Sequence, residues 1–583
     1  FWQGGQSEKA FKMWESALIG SMYLGASPGG FEQLSFYDAM RGELYRDFAD
    51  PIGMTSRTLV EGLFGIQPNA LENRLTIQPG FPQKWDNVSL EIPDVSFSFK
   101  RNNNTDSYQI KPNFSTKMDL KLVVNIPYDN IKSVTINGEK ATWKIFDAVG
   151  NPQLIIESPF KENYNIDISW DGEKMEQPKL EKSYCIGESI LLETTKAKII
   201  EIYDPQQALS EVSKTNSELK ANLKTKENAT FFIRLQQGNT TWWSPVNLIV
   251  KPEIEAKSTR IENNKLLFTI KNNSQKAIEG NLIFNPLGKE IIQKVSLQKD
   301  SETTISIPLE NLISGTNAFV LKTTEGKEFS ISFTNWDIPL PKETKMETVS
   351  LAENFNLKVT DVFNQEYLTP RPKGPTLQLP KHGIGNWCYP NLDVKIDDSG
   401  LRQSAKNNQI TSPEGILFQT PADANSKNIA FTSMWDNFPD SIAVPLSGKA
   451  SHLYLMMAGT TNPMQSRFVN GEITVNYTDG SSKVLQLKNP QNWWPIEQDY
   501  FTNGLAFTTD APKPPRVYLK SGTISRTFKD FSSIKGFSNY AVDGGAATIL
   551  DLPLDKNKTL KNITLTSIAN DVLIGLMSAT LVR

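Results

Sequence analysis

The chain has 583 residues, which is enough for about three to five domains. Its formal net charge of −3 gives no electrostatic reason to expect a nucleic acid or an anionic membrane surface as a partner. It contains no apolar run long enough to span a bilayer, so we expect no membrane span. It begins at Phe1 without a leader, which we interpret as a processed or truncated chain whose export signal lies elsewhere.

Cysteine and histidine are scarce. The two cysteines, Cys185 and Cys388, and the two histidines, His382 and His452, lack the spacing of a zinc site. A disulfide between the cysteines would suit an oxidising compartment, but we favour two buried thiols. The chain has no P-loop, no dinucleotide-binding glycine motif and no GxSxG elbow. We therefore predict no metal and no cofactor, which leaves carboxylates as the leading candidates for any chemistry.

The first seventy residues have the pattern of helices. In "SEKAFKMWESALIGSMYLG", apolar residues recur at helical spacing at Phe11, Trp14, Leu18 and Met22. A second helix is predicted from Asp50-Pro51 to Phe64, and Gly65 and Pro68 end it. Both helices carry more apolar surface than the pair can bury. We therefore expect them to be the end of a larger helical domain, covered by an upstream helical portion of the same protein or by a second chain.

After Pro68 the sequence changes to short β-rich runs. "SVTINGEKATWKI" predicts a hairpin with a turn at Asn137 and Gly138, and "GEITVNYTDGSSKVLQL" predicts another with a turn at Asp479 and Gly480. We predict a mainly β, multidomain chain in which a helical segment is followed by β-sandwich, immunoglobulin-like and jelly-roll modules. The predicted ranges are 1–68 for the helices, 69–182 for a β-sandwich, 183–252 and 253–345 for two Ig-like modules, and 346–583 for a C-terminal jelly roll.

The stretch "LVEGLFGIQPNALENRLTIQPGFPQKWDNVSLEI" resembles the exit from the six-hairpin (α/α) toroid of many glycoside hydrolases, where the last helix leads into a packed β-sandwich. The chain as a whole resembles the C-terminal portion of an uncharacterised glycoside-hydrolase-like family common in Bacteroidetes, in which the toroid precedes several β-modules. "VDGGAATILDLPLD" and "NDVLIGLMSATLVR" are similar to the terminal sandwich of such proteins. The matching residues at the toroid exit are Gly65, Ile66, Pro68, Leu75, Ile77, Pro79, Pro82 and Trp85.

The resemblance implies hydrolysis by two carboxylic groups, one acting as acid and one as base. In the trehalase and glucosidase branches of the toroid, the base lies in a Gly-Glu-Tyr stretch just before the last helix. Gly42-Glu43-Leu44-Tyr45 occupies that place, so Glu43 is the implied base, although Leu44 departs from the pattern. The acid of these branches comes from earlier in the barrel.

The residues around Glu43 have two interpretations. If the stretch lines an active site, Asp38 and Asp47 are alternative catalytic carboxylates, and Arg41, Tyr45 and Arg46 contact the substrate. If it is instead a solvated helix junction, Asp50 is an N-cap and the arginines form surface ion pairs.

Several tryptophans are candidate platforms for sugar rings. Trp387 in "GNWCYPN" and the pair in "NPQNWWPIEQ" lie in loop-like stretches, and the alternative is that such rings fill the end of a sandwich core. We interpret Trp242-Trp243 as packing. The candidate substrate-binding tryptophans are Trp2, Trp387, Trp493 and Trp494.

Two functional hypotheses follow from different classes. The first is a periplasmic, secreted or cell-surface glycoside hydrolase that acts on a complex polysaccharide or oligosaccharide by carboxylate acid/base hydrolysis. The second is a non-catalytic carbohydrate-binding or scaffold protein built of the same modules. Both have a carbohydrate as partner.

Overall fold

A computed structural model describes residues 1, 2, 4, 6–22, 49–180, 182–284, 290–365, 368, 395–434, 437–461, 468–497, 512–526, 542–570 and 572–583. The chain is mainly β, multidomain and poor in helix, which confirms the predicted fold class. It divides into two compact units, with the change between Glu253 and Ile254. The finer division into the predicted ranges, and the assignment of 1–68 to a toroid, remain predictions.

The helices of the first unit are α1 (Ser7–Met22) and α2 (Ala49–Arg57), and α2 passes into a π-helical segment at Thr58–Leu63. The chain then turns at Gly65, whose φ is +67° and where an added Cβ would lie 1.9 Å from the carbonyl oxygen of Gln78. Only glycine fits this close approach of the two chain segments.

The first sandwich joins two sheets with strand orders β1-β2-β6-β10-β9 and β3-β4-β5-β11-β7-β8. Its strands alternate buried and exposed residues because one face of each sheet covers the shared core. Partly buried side chains of the helical segments, among them Trp2 and Phe11, pack on the same core. The strands are β1 (Ile66–Asn69), β2 (Arg74–Ile77), β3 (Asn87–Ile92), β4 (Val95–Asn102), β5 (Thr105–Pro112), β6 (Asp119–Asn125), β7 (Tyr128–Ile136), β8 (Glu139–Lys140), β9 (Trp143–Phe146), β10 (Gln153–Ser158) and β11 (Tyr164–Lys174).

The second module of this unit pairs a sheet of order β12-β18-β17-β14 with one of order β13-β16-β15. It joins the first sandwich through polar contacts: Gln237, which is 3% exposed, donates to the carbonyl oxygen of Lys174 and accepts from the backbone of Glu176. Its strands are β12 (Ser183–Tyr184), β13 (Ser189–Glu193), β14 (Lys198–Tyr203), β15 (Leu209–Lys214), β16 (Glu218–Leu223), β17 (Ala229–Gln237) and β18 (Thr240–Val250).

The second unit begins with a module of two sheets, β19-β20-β23 and β22-β21-β24-β25, around a core that includes Phe268 and Phe319. Their stacked rings lie 5.6 Å apart between centroids. The strands are β19 (Ile254–Glu262), β20 (Lys265–Asn272), β21 (Ile278–Phe284), β22 (Ile291–Leu297), β23 (Ser301–Pro308), β24 (Gly315–Thr323) and β25 (Glu328–Asn335).

The C-terminal module has a large sheet of order β26-β38-β31-β36-β34-β35, in which β29 also pairs with β38, and a second sheet of order β30-β37-β32-β33. A short helix, α3 (Ser399–Ser404), and the hairpin β27-β28 belong to the same module. The strands are β26 (Met346–Thr348), β27 (Gln409–Thr411), β28 (Leu417–Gln419), β29 (Ala430–Ser433), β30 (Ser441–Pro445), β31 (His452–Thr461), β32 (Val469–Tyr477), β33 (Ser482–Lys488), β34 (Arg516–Tyr518), β35 (Thr523–Ser525), β36 (Ala546–Pro553), β37 (Leu560–Ser567) and β38 (Val572–Val582).

Both faces of the large sheet are buried. Every residue of β31 and β38 is buried, unlike the alternating strands of the first sandwich. Leu573 packs in one hydrophobic cluster and Ile574 in another, on the opposite side of the sheet. The apolar run "HLYLMMAG" is the sequence signal for a strand that is covered on both sides.

Candidate functional site

A cleft of about 370 Å³ opens on the first sandwich. The loop between β2 and β3 contributes Phe81 and Trp85, β4 contributes Arg101, and β7 contributes Tyr128. The lining also includes the polar residues Asn125, Asn151, Lys174 and Gln177. The cleft therefore combines aromatic walls with several hydrogen-bond donors.

A partly buried ion pair between Arg101 and Asp106 lines the cleft. Arg101 donates from Nε to Oδ1 of Asp106 at 2.6 Å and from Nη2 to Oδ2 at 2.8 Å. Trp170 donates from Nε1 to Oδ2 of the same carboxylate at 3.0 Å. The hydrogen bond to Asp106 raises the pKa of Arg101, so the guanidinium is charged at any physiological pH.

The aromatic side of the cleft is a chain of rings in contact. Phe81 stacks on Phe99 with centroids 5.6 Å apart, and Phe99 lies 5.1 Å from Tyr108. The Arg101 guanidinium carbon lies 5.5 Å from the centroid of Phe99. Burial raises the pKa of Tyr108 well above its ordinary value, with a further contribution from Asp106, so its hydroxyl stays protonated.

This arrangement can bind a polar ring compound but offers no acid/base pair. Both oxygens of Asp106 accept hydrogen bonds, and its side chain is only 2% exposed. Arg101 is 33% exposed, and its Nη1 makes no hydrogen bond within the part of the chain that the structure describes. A hydroxylated ligand could therefore stack on the rings and accept a hydrogen bond from Arg101.

The sequence analysis missed this ion pair, although a signal for it is present. In "KRNNNTD", the Asn-rich stretch is a turn between two strands, and Asn103 adopts a φ of +50°. The turn places Arg101 directly opposite Asp106 in the strand register. Recognising the hairpin would have identified the pair.

Most of the predicted site residues lie outside the described residues. They are Asp38, Arg41, Glu43, Tyr45, Arg46, Asp47 and Trp387. Cys388 and His382 lie outside them as well, whereas Cys185 is described and is 1% exposed. The catalytic and substrate-binding roles given to these residues remain predictions.

Trp2 is described and lies at the junction of the helices and the sandwich. Its Nε1 donates to the carbonyl oxygen of Gly80 at 2.9 Å. A Cβ at Gly62 would lie 2.5 Å from the Trp2 ring, and one at Gly80 would lie 2.2 Å from it. The ring thus fills a space between two glycines, and its predicted role in substrate binding is untested.

Trp493 and Trp494 are buried in the C-terminal module. They are 0% and 2% exposed, and Trp494 donates from Nε1 to the carbonyl oxygen of Pro490 at 2.7 Å. The guanidinium carbon of the buried Arg516 lies 5.7 Å from the Trp494 ring. This burial favours the alternative interpretation, in which these rings fill the end of a core, and the proposed stacking on sugars gains no support from it.

Among the described residues, no group of three or more His, Cys, Asp or Glu side chains is placed to hold a metal ion. Within the same residues, no helix has both the length and the hydropathy needed to cross a membrane.

No family model matches the chain, and no curated protein matches it. Solved structures with some likeness include a Bacteroides ovatus glucan-utilisation-locus protein, SGBP-B, in complex with a mixed-linkage heptasaccharide. It has 10% identity and a TM-score of 0.18, and the match covers 79% of this chain and 92% of that one. The I9–I11 tandem of titin has 11% identity and a TM-score of 0.15, over 40% of this chain and 94% of that one.

A third likeness is to the exo-β-D-glucosaminidase CsxA, with 9% identity and a TM-score of 0.11, over 47% of this chain and 26% of that one. The structural neighbours thus include a carbohydrate-binding protein, a glycosidase and Ig-like repeats. At these identities and TM-scores, none of them carries an argument about activity.

Proposed function

We propose that this protein acts on a complex polysaccharide or oligosaccharide as a glycoside-hydrolase-like enzyme, with a helical catalytic domain fixed to a series of β-modules. One observation carries the proposal: the helices of the first unit are seated on the first sandwich through a continuous aromatic contact. Residues 1–68 are, in this proposal, the C-terminal helices of a six-hairpin toroid.

The contact extends from α1 to the loop after β2. The Phe11 ring lies 4.9 Å from the Trp85 ring in an edge-to-face arrangement, and Glu8 accepts a hydrogen bond from the backbone of Gln83 at 2.8 Å. At the other helical segment, Phe64 packs edge-to-face on Phe81 with centroids 5.4 Å apart. Trp85 and the neighbouring prolines belong to the stretch that resembles the toroid exit, which supports the proposal.

Exposed apolar side chains on α1 support the proposal that a further helix packs against it. Met13 is 57% exposed and Ile19 is 46% exposed, although both are apolar. Burying such side chains is worth about 1.5–3 kcal/mol each. In the proposal, an upstream helical portion of the same protein or a second chain covers these side chains.

The proposed chemistry depends on Glu43. In this proposal its carboxylate is the base that activates water, Arg41 or Arg46 keeps it ionised, and Tyr45 offers the sugar an apolar face. Asp38 and Asp47 are the alternatives for this role. In the sandwich, Asp106 is already bound by Arg101 and Trp170, which supports the view that hydrolysis belongs to the helices.

The test is hydrolysis by the complete natural protein of a panel of poly- and oligosaccharides, measured as released reducing ends. Glu43→Gln should lower turnover by a factor of about 10²–10⁴, the usual contribution of a general base. Glu15→Gln, at an exposed position on α1, is the matched control and should leave turnover unchanged. If Glu43→Gln keeps normal turnover, the base is another residue, and Asp38→Asn and Asp47→Asn are the next variants.

The aromatic cleft favours a second candidate function, a non-catalytic carbohydrate-binding protein. Its aromatic walls suit a sugar ring, and Nη1 of Arg101 is left without a hydrogen bond among the described residues, while the only carboxylate among the described lining residues, Asp106, is already paired. If the complete wild-type protein binds glycans of the panel but cleaves none, this second function replaces the first. In both cases we propose that the protein works in the periplasm or at the cell surface, where such glycans are met.

A further inference from the structure

The outer face of the β14-β17-β18 sheet carries three aromatic side chains that lie outside the hydrophobic core of the module. Strand β17 buries Phe231, Ile233 and Leu235 on its inner side, which leaves Phe232 and Arg234 facing outward. In β18, Trp242 is 0% exposed whereas Trp243 is only partly buried. The burial of Trp242 fits the interpretation of this pair as packing, whereas Trp243 lies on the other face of the sheet and is only partly buried.

The three outward rings form one surface, which we call the aromatic platform (Tyr203, Phe232 and Trp243). Tyr203 lies directly opposite Phe232 in the strand register, and their ring centroids are 6.3 Å apart. The Tyr203 and Trp243 centroids are 6.4 Å apart, with the rings nearly perpendicular. Tyr203, the last residue of β14, is 57% exposed.

The segment 147–150 of the first sandwich holds Trp243 in place. The backbone nitrogen of Trp243 donates to the carbonyl oxygen of Ala148 at 2.9 Å, and Gly150 donates to the carbonyl oxygen of Trp243 at 2.8 Å. Both edges of β18 are thereby paired near this ring, because β17 occupies the other side. The backbone of Trp243 is thus held on both sides, which limits the entropy that this residue loses when a ligand binds.

The charged groups beside the rings are one cation, Arg234, and two carboxylates, Asp147 and Glu201, so acidic groups are in excess. Arg234 donates from Nε to Oδ2 of Asp147 at 2.8 Å, and its Nη1 lies 3.9 Å from a carboxylate oxygen of Glu201. Farther along the same face, Thr230 donates to the side chain of Asn247 at 2.9 Å. An acidic ligand would meet this excess of carboxylates, whereas an uncharged, hydroxylated ligand would find donors and acceptors next to apolar rings.

We propose that the aromatic platform is a binding site for a neutral polysaccharide, separate from the cleft on the first sandwich. The C–H faces of successive sugar rings stack on the platform, and the sugar hydroxyls exchange hydrogen bonds with Arg234, Glu201 and Asn247. The open face of the sheet suits an extended chain, since it has no walls to enclose a single sugar. This proposal rests on the proposed carbohydrate function and adds a second place of contact with the substrate.

The test is affinity gel electrophoresis of the intact protein in gels that contain neutral or uronic-acid polysaccharides. The double variant Tyr203→Ala/Trp243→Ala should bind a neutral polysaccharide at least about tenfold more weakly than the wild type, from the loss of two stacking rings. Val212→Ala, at a 46% exposed position in the same module, is the control and should bind as the wild type does. The single variant Tyr203→Ala removes a ring outside the core, so it tests the site even if the double variant folds poorly.

Three results would contradict binding of a neutral polysaccharide at the platform. The proposal is wrong if no neutral polysaccharide retards the wild type, if the platform variants bind normally, or if they lose self-association instead of glycan binding on size-exclusion chromatography. Turnover on a short oligosaccharide separates this site from the proposed function, because a short substrate does not need the platform. Normal binding by the variants together with loss of turnover in Glu43→Gln would reject the platform alone. Binding that depends on the platform without any hydrolysis would reject the enzyme alone.

Discussion

The carboxylate of Asp551 lies 2.6 Å from the backbone nitrogen of Thr316, a residue 235 positions earlier in the chain. The same carboxylate accepts a hydrogen bond from the Thr316 hydroxyl at 3.0 Å and contacts Nε2 of His452 at 2.8 Å. Asp551 is on β36 and Thr316 is on β24, so this buried group connects the two modules of the second unit. A Cβ at Gly315 would lie 2.7 Å from the carboxylate, so the approach requires glycine there.

We expect Asp551→Ala to destabilise the second unit by about 3 kcal/mol, because it leaves His452 and the Thr316 amide buried without their acceptor. The measurement is urea unfolding followed by circular dichroism. Asp543→Asn is the control, because the Asp543 carboxylate pairs with Lys520 at the surface and its side chain is 82% exposed. This variant should not change the unfolding midpoint measurably. An unchanged unfolding midpoint for Asp551→Ala would show that this contact contributes nothing to stability.

The two-sided burial of β38 predicts that neighbouring residues on opposite faces are equally costly to truncate. Leu573 and Ile574 are both 0% exposed. Leu573→Ala and Ile574→Ala should each lower the free energy of unfolding by about 2–5 kcal/mol. Leu71→Ala, at a 98% exposed position, should change it little. In a sheet with one solvated face only one of the two variants would be costly, and that result would contradict the observed packing.

Removing the charge of Asp106 should weaken the first sandwich. Asp106→Asn leaves the Arg101 guanidinium in contact with a neutral amide, and we expect a loss of about 3 kcal/mol in the free energy of unfolding. The fluorescence of Trp170, whose Nε1 is bonded to this carboxylate, should change at the same time. Glu157→Gln is the control because its pair with Lys144 is exposed, at 55% and 77%. Equal free energies of unfolding for Asp106→Asn and Glu157→Gln would mean that the Arg101–Asp106 pair contributes no more to stability than the exposed Lys144–Glu157 pair.

We expect Glu176 to make the stability of the first unit fall at acidic pH. Burial raises the pKa of Glu176, but hydrogen bonds from the backbone of Ala197, Thr195 and Lys196 and from the Thr195 hydroxyl outweigh it, so the pKa is lowered overall. Because the folded pKa is below the ordinary value of 4.5, the unfolded chain takes up the proton first as the pH falls. The stabilisation is therefore complete above the ordinary value and is lost as the pH falls from there through the folded pKa.

Glu176→Gln should make the stability of the first unit less dependent on pH in this acidic range. The measurement is the thermal unfolding midpoint of wild type and variant between about pH 6 and pH 3. Glu227→Gln, which changes an exposed glutamate of the same module, should follow the wild-type curve. Parallel curves for Glu176→Gln and the wild type would contradict the role given to these hydrogen bonds.

Periodicity predicted the class of the fold but not the position of every side chain. The run "HLYLMMAG" has the apolar composition of a core strand, and it lacks polar alternation because both faces of β31 are buried. In "TTWWSP", a period of two requires that Trp242 and Trp243 point to opposite sides, so one of the two rings had to face outward. That single consequence of strand geometry would have identified the platform ring.

The candidate site was harder to predict from the sequence than the fold class, because it depends on contacts between residues that are far apart in the chain. Arg101 and Asp106 are only five positions apart, yet the Trp170 that completes their cluster comes 64 positions after Asp106. Trp2 likewise obtains its position from Gly80, 78 residues later. Local composition predicts neither contact, since both follow from how the sheets and helices pack.

Strand β38 comes last in the chain order of its module, yet it pairs with β26, β29 and β31 at the centre of the sheet. The register joins Met346 to Val582 across the whole length of the module. Until this strand has been synthesised and has left the ribosome, the apolar side chains of β31 have no partner on that edge. We therefore expect the nascent module to depend on chaperones, or on retention in a loosely collapsed state, until its final dozen residues arrive.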